Sequence, residues 1–199
     1  SQRLMEKVVE RRQLNTAYYS IGKVNTLELF DTNPQSKFVV FSAIKDSGRS
    51  YTITIRVKAN GSIYVVSGDD EIKAENHTLV ITPQFNYVIN IPDPSQYNPE
   101  YSYSATWLPT ASVAGGLAGS LNVSPLNKYS TIILISTTAQ VPLKSEVVLN
   151  SLVDEYNNYN IDQNKVTAEN TIKFIDDRLL FTSGESTKVE KGLKSLKQN

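Results

Sequence analysis

The chain has 199 residues, 40% hydrophobic and 20% charged, enough for one substantial core or one core plus an appendage. Its twenty basic and twenty acidic residues cancel, so it has no broad field to hold nucleic acid or an anionic membrane. With no cysteine and a single histidine, His77, there is little to build a thiolate nucleophile, a disulfide, a zinc cluster or a Ser-His-Asp triad.

Leu4, Met5, Val8 and Val9 recur between charged residues and predict an amphipathic helix ending near Asn15. Strand-like segments follow in "TAYYSIGKV", "TLELF" and "KFVVFSAI". Tyr51, Ile53, Ile55 and Val57 alternate with Thr52, Thr54, Arg56 and Lys58, which predicts a strand with one buried and one wet face. Asn60-Gly61 suits a type I′ hairpin turn, with "SIYVV" as the returning strand. "HTLVIT", "NYVINI" and "YSYSATWL" continue the β pattern around a proline- and tyrosine-rich loop. Asn76-His-Thr is an N-glycosylation sequon, meaningful only in a cell that modifies such sites.

After Pro109 the pattern changes. Thr110 suits the cap of a short helix carrying Val113, Leu117 and Leu121, weakened by Gly115, Gly116 and Gly119. "STIILIST" is apolar enough for a strand buried on both faces. Pro142 suits the first turn of a helix, and nothing but Gly184 and Gly192 interrupts the helical pattern from there to Lys197. Unbroken, such a helix is roughly 80 Å long at 1.5 Å per residue, too long for a small domain to bury. The expected fold class is α+β. It comprises a small α/β base (1–45 and 120–150), an inserted antiparallel β-rich unit (46–119) and a long protruding C-terminal helix (142–199).

Catalytic patterns are weak. "AGGLAGS" lacks the lysine and spacing of a phosphate loop and suits a small-residue helix packed close to a neighbour. "GDDE" lacks the distal ligands of an EF-hand and suits an acidic turn. Asp176 and Asp177, like Asp154 and Glu155, diverge on a helix and form no acid/base pair, while Arg178 suits a surface ion pair. Neither a catalytic residue nor a cofactor or metal site is expected. Trp107 and the strand tyrosines could stack on sugar, although cross-strand packing accounts for the same spacing. Lys188, Lys191, Lys194 and Lys197 form a basic stripe, usually a solvated face.

"LNSLVDEYNNYNIDQNK" (149–165) carries five asparagines within a helical pattern. Two apolar seams meet there out of phase. The first takes Leu149, Leu152, Val153, Tyr156 and Tyr159. The second takes Ile161, Ala168, Ile175, Thr182, Val189 and Leu196 at one heptad position and Lys165, Ile172, Leu179, Ser186 and Leu193 at its companion. The first seam is expected to seat the helix on the globular body, and the second to meet a helix from elsewhere.

"LMEKVVERRQLN", "YYSIGKVNTLELF", "STIILISTTAQVPLKSEVVLNSLVDEYN", "AENTIKFIDDRL" and "KVEKGLKSL", in that order, resemble the periplasmic region of polysaccharide chain-length determinants. These are the Wzz-type polysaccharide co-polymerases and the Wzc-like tyrosine kinases of bacterial capsule and exopolysaccharide synthesis. The resemblance covers most of 1–45 and 105–199 and is closest to the kinase-linked type with a β-rich insertion. It implies the periplasmic region of a bacterial inner-membrane protein, here an excised piece lacking both flanking membrane helices, the return helix and the final base strand. It also implies ring-like homo-oligomers that work with a polysaccharide polymerase and its growing glycan, without nucleic acid, to set glycan length. On that footing Asn150, Tyr156, Asn157, Asn160, Ile172, Ile175, Arg178 and Leu179 are candidate arm or subunit contacts. Trp107, Lys188, Lys191 and Lys194 are candidate glycan contacts. The competing expectation is a carbohydrate-binding β-domain of a cell-envelope protein centred on Tyr97 to Trp107.

Overall fold

Helix α1 (Gln2–Arg12) forms where Met5, Val8 and Val9 recur on one face, and all three are buried. It stops short of Asn15. Gln13 turns to φ +53°; its N–H donates to the Glu10 carbonyl at 3.2 Å, and the Leu14 N–H donates to Val9 at 2.9 Å. These are the paired bonds of a Schellman cap, with Leu14 buried in the same cluster as Val9. The structure, a computed structural model, describes residues 2–196, excluding the side chains of Pro34 and of residues 185–196.

Strands β1 (Thr16–Ile21), β2 (Thr26–Leu29), β3 (Val39–Ser42), β4 (Tyr51–Val57), β5 (Ile63–Ser67), β6 (Asp70–Ala74), β7 (Leu79–Ile81), β8 (Asn86–Ile89) and β9 (Ser102–Trp107) precede helix α2 (Thr110–Gly119). Strands β10 (Leu121–Pro125) and β11 (Ile133–Thr137) and helix α3 (Pro142–Leu196) complete the α+β fold. The strands form a six-stranded sheet in the order β2-β1-β9-β4-β5-β6, a three-stranded sheet β3-β8-β7 and the pair β10-β11. Every pairing is antiparallel.

The alternation of β4 works as its sequence implies. Ile53, Ile55 and Val57, with Tyr103 and Ala105 of β9, pack against Val39 of β3 and Tyr87 and Ile89 of β8. The opposite face is wet. There Thr52 and Thr106 share a hydroxyl contact at 3.0 Å, and Glu71 on β6 accepts from Arg56 and from Lys58 at 2.7 Å. Strand β6 ("DEIKA") lacks an apolar alternation, and these ion pairs together with the ladder to β5 hold it at the sheet edge.

The β4–β5 turn corrects the type I′ expectation. Gly61 alone takes positive φ (+78°), and its N–H donates to Lys58 at 2.9 Å. That geometry belongs to a longer hairpin in which a left-handed glycine follows an ordinary turn.

Strand ladders run across the expected division into base and insertion. β1 and β2, expected in the base, pair with β9 in the sheet that contains β4, and β3 pairs with β8. Helix α2, expected in the insertion, packs instead on α1, where Ala114 joins Met5, Val8, Val9 and Val148 in a second core. Backbone ladders thus cross the boundary drawn at residue 46. Pro109, not Thr110, is the α2 N-cap residue. Thr110 Oγ1 is occupied as an acceptor from Asn15 Nδ2 at 3.0 Å. The glycine face of α2 is open, because a Cβ at Gly115, Gly116 or Gly119 would meet nothing within 4 Å, contrary to the close packing expected.

The apolar run at β11 is not buried on both faces. Ile133 and Leu134 are exposed, and among the described residues the strand pairs only with β10. An apolar run suits a surface awaiting a cover as well as a central strand. Pro142 does open α3, and Val148 and Ser151 are its buried contacts with the rest of the first unit. That seat differs from the expected one: Val153 is 50% exposed and Leu149 only partly covered.

The chain divides into two units, Ser1–Val153 and Asp154–Asn199. In the second, Ile161, Ile172, Ile175 and Leu179 are all exposed.

Candidate functional site

Six strands face three in the first unit, so the core face of the larger sheet continues past the cover of the smaller one. Thr16, Tyr18 and Ser20 lie on that face of β1, and beside them opens a cleft of about 680 Å³, within the range of roughly 300–1,000 Å³ usual for ligand pockets.

Four tyrosines line it: Tyr18, Tyr97, Tyr101 and Tyr103. Phe38 meets three of their rings edge-on, at 5.1 Å from Tyr18, 6.2 Å from Tyr97 and 6.0 Å from Tyr103. Tyr97 stands edge-on to Tyr103 at 4.8 Å. The Tyr18 hydroxyl donates to the Val39 carbonyl at 2.8 Å, and the Tyr103 hydroxyl accepts from the Asn98 N–H at 2.8 Å. Those of Tyr97 and Tyr101 have no hydrogen-bond partner among the described residues. Burial raises the Tyr18 hydroxyl well above the ordinary phenol value, and burial followed by the electrostatic effect of the neighbouring Tyr103 hydroxyl raises that of Tyr97. Both remain neutral donors at physiological pH. Gly22 leaves room for the Tyr101 ring, whose Cε1 would lie 3.3 Å from a Cβ there.

Charge in the cleft is unevenly satisfied. Glu28 is paired with Lys144. Arg12 donates from Nε to Ser151 Oγ at 2.7 Å, and Lys37 donates to the Gln13 side-chain oxygen at 3.0 Å. Among the described residues neither cation has a carboxylate partner. Both therefore offer unused donors beside the tyrosine rings.

The residues singled out from sequence lie elsewhere. Trp107 does not line the cleft; it pairs with Tyr51 across β4 and β9, ring centroids 6.0 Å apart. Lys188, Lys191 and Lys194 fall within α3, but their side chains, like those of Ser186, Val189, Leu193 and Leu196, lie outside the described residues. So does Lys197. Asn150, Tyr156, Asn157, Ile172, Ile175, Arg178 and Leu179 are exposed on α3, and Asn160 is partly covered. Arg178 makes no ion pair with Asp176 or Asp177 among the described residues, because adjacent helical side chains diverge.

Sequence reasoning missed a further feature of the second unit. At about 100° per residue, Tyr156, Tyr159, Val166, Phe174 and Phe181 fall on the side opposite the Ile161–Ile172–Ile175–Leu179 seam. All five are exposed. Between the stripes run two unlike flanks, one with Asp162, Glu169 and Asp176, the other with Asn157, Asn164, Thr171 and Arg178.

Among the described residues no group of acidic or histidine side chains is placed to hold a metal, and no helix is long and apolar enough to cross a membrane. No family model matches the chain, and no curated protein matches it.

Proposed function

We propose that this chain is a non-catalytic assembly module, the periplasmic part of a polysaccharide co-polymerase of the Wzz or Wzc-like type. Its long helix joins subunits, and the joined surface sets how long a capsular, exopolysaccharide or O-antigen glycan stays with its polymerase. Support comes from the order of β11, Pro142 and α3, which follows the family pattern.

The observation that carries the assembly role is the exposed heptad seam. Ile172 is 60% exposed and Leu179 63%, and each contributes about 1.5–3 kcal/mol when such a side chain is fully buried. A polar surface helix has no use for such a seam, whereas a helix meeting a helix requires one. The second, opposed stripe extends the argument. One seam suffices for a pair; two on opposite sides suit a helix with a neighbour on each, as in a ring or array.

The test is made on the whole parent protein in detergent or lipid. Ile172→Asp with Leu179→Asp should convert oligomers to smaller species by light scattering and change the glycan-length distribution on a gel. Monomers in the unsubstituted protein, with normal glycan lengths after the double substitution, would overturn the reading.

A further inference from the structure

The two cations beside the tyrosine rings point to a ligand that the assembly role does not require. We propose that the cleft of the first unit binds an acidic pyranose, such as a uronate residue in an oligosaccharide chain.

Tyr97 and Tyr101 combine a flat apolar ring with a hydroxyl that has no partner among the described residues. A pyranose has the complementary form, with a C–H face to lie on the ring and equatorial hydroxyls to meet the polar rim. Gln96, whose Nε2 donates one hydrogen to Asp93 at 3.3 Å, lies in the same lining and keeps its second N–H and its oxygen for vicinal hydroxyls. Lipid is disfavoured by this polar rim.

The acid preference comes from Arg12 and Lys37. Ser151 fixes the Arg12 Nε, which leaves the two terminal nitrogens as a fork suited to a carboxylate. Lys37 is held by Gln13, the residue next to Arg12, so both cations belong to one end of the cleft. Of the two carboxylates in the lining, Glu28 is taken by Lys144 and Asp31 accepts the Asn33 N–H at 2.9 Å, and neither pairs with Arg12 or Lys37 among the described residues.

Binding in the cleft is independent of assembly through α3, since every residue invoked lies in the first unit. Calorimetric titration of the full chain should therefore use a uronate-containing tetrasaccharide, its carboxyl-reduced neutral counterpart and a nucleoside triphosphate. The acidic sugar should bind at least about tenfold more tightly than the neutral one, as loss of a charge-assisted hydrogen bond implies. Arg12→Gln and Lys37→Gln should each bring the ratio of the two affinities close to one. Tyr101→Ala should weaken both sugars, and thermal melts should show each variant folded. Equal affinity for the two sugars, tighter binding of the nucleotide, or an acidic preference that survives both cation substitutions would each overturn the proposal. Acidic-sugar binding by a parent protein that stays monomeric in detergent or lipid would leave the cleft assignment standing and remove the assembly role.

Discussion

The Asn76 side chain substitutes for a stretch of backbone opposite Ile91. Its Nδ2 donates to the Ile91 carbonyl at 2.6 Å, and its Oδ1 accepts from the Ile91 N–H at 2.9 Å. Ile91 is buried, so its two polar groups have no water to turn to. The next residue, His77, turns to φ +59° and donates its N–H to Ile89 at 2.8 Å, extending the contact into β8. Asn76→Ala should cost about 1–3 kcal/mol, the penalty for stranding a buried donor and acceptor. A urea midpoint lowered without change in slope would show it.

A single hydroxyl tests how the cleft wall joins the core. Tyr18→Phe removes the bond to the Val39 carbonyl and keeps the ring against Phe38. Val39 is fully buried, so its carbonyl loses a partner without gaining water. A loss of about 1–2 kcal/mol is expected in chemical denaturation. No measurable loss would mean that the carbonyl finds another donor.

Acid should weaken the β5–β6 edge. Hydrogen bonding from Lys58, then its charge and that of Arg56, holds the Glu71 carboxyl below the ordinary glutamate value. A carboxylate depressed by folding adds stability that is present above its unfolded pKa, about 4.3, and is lost as pH falls through the lower folded value. Asp93, depressed by hydrogen bonds from Ser95, acts with the same sign. Stability measured from pH 6 down to about pH 3 should fall less steeply in Glu71→Gln than in the unsubstituted chain. Identical slopes would remove Glu71 from the acid transition.

Helix pairing has an expected direction. In a parallel pair of α3 helices, Asn164 of one copy faces Glu169 of the second and Thr171 faces Asp176, which places neutral groups against acids. An antiparallel pair would set Asp162, Glu169 and Asp176 against like charges. The chain has no cysteine, so Ala168→Cys adds one reporter on the seam. Mild oxidation should yield disulfide-linked dimers, because parallel in-register packing brings the two thiols within bonding reach. Failure to cross-link would indicate an antiparallel pair or a ring in which each seam meets the opposite seam of its neighbour.

Much of the architecture was legible in local pattern. The period-2 run at β4, the i, i+4 spacing in α1 and Pro142 at the start of α3 each rest on a few neighbouring residues. β6 and β10 escaped because edge and ribbon strands need no apolar alternation, and Asp70–Ala74 is held partly by ion pairs to β4 and the residue after it. Strand β11 misled for the opposite reason, since hydrophobicity marks what must be covered without saying by what. The cleft could not be read at all. Arg12, Tyr18, Lys37 and Tyr101 are brought together by β1 pairing with β9 across more than eighty residues, and no local spacing carries that information. The second stripe of α3 was hidden by its drift, because Val166 and Phe174 are eight apart and a strict seven-residue count separates them.

The unequal strand count of the two sheets has a consequence for how this protein could diversify. The hollow exists because three strands cannot roof six, a matter of backbone arithmetic and not of any one side chain. Its walls come largely from connecting segments and strand ends, including Lys37, Gln96 and Tyr101, which lie outside the central β4 strand. Exchanging those residues would retune what the hollow accepts while Ile55 and Ile89 kept the two layers together. The frame and its selectivity are separable, so one scaffold could hold hollows of different ligand preference.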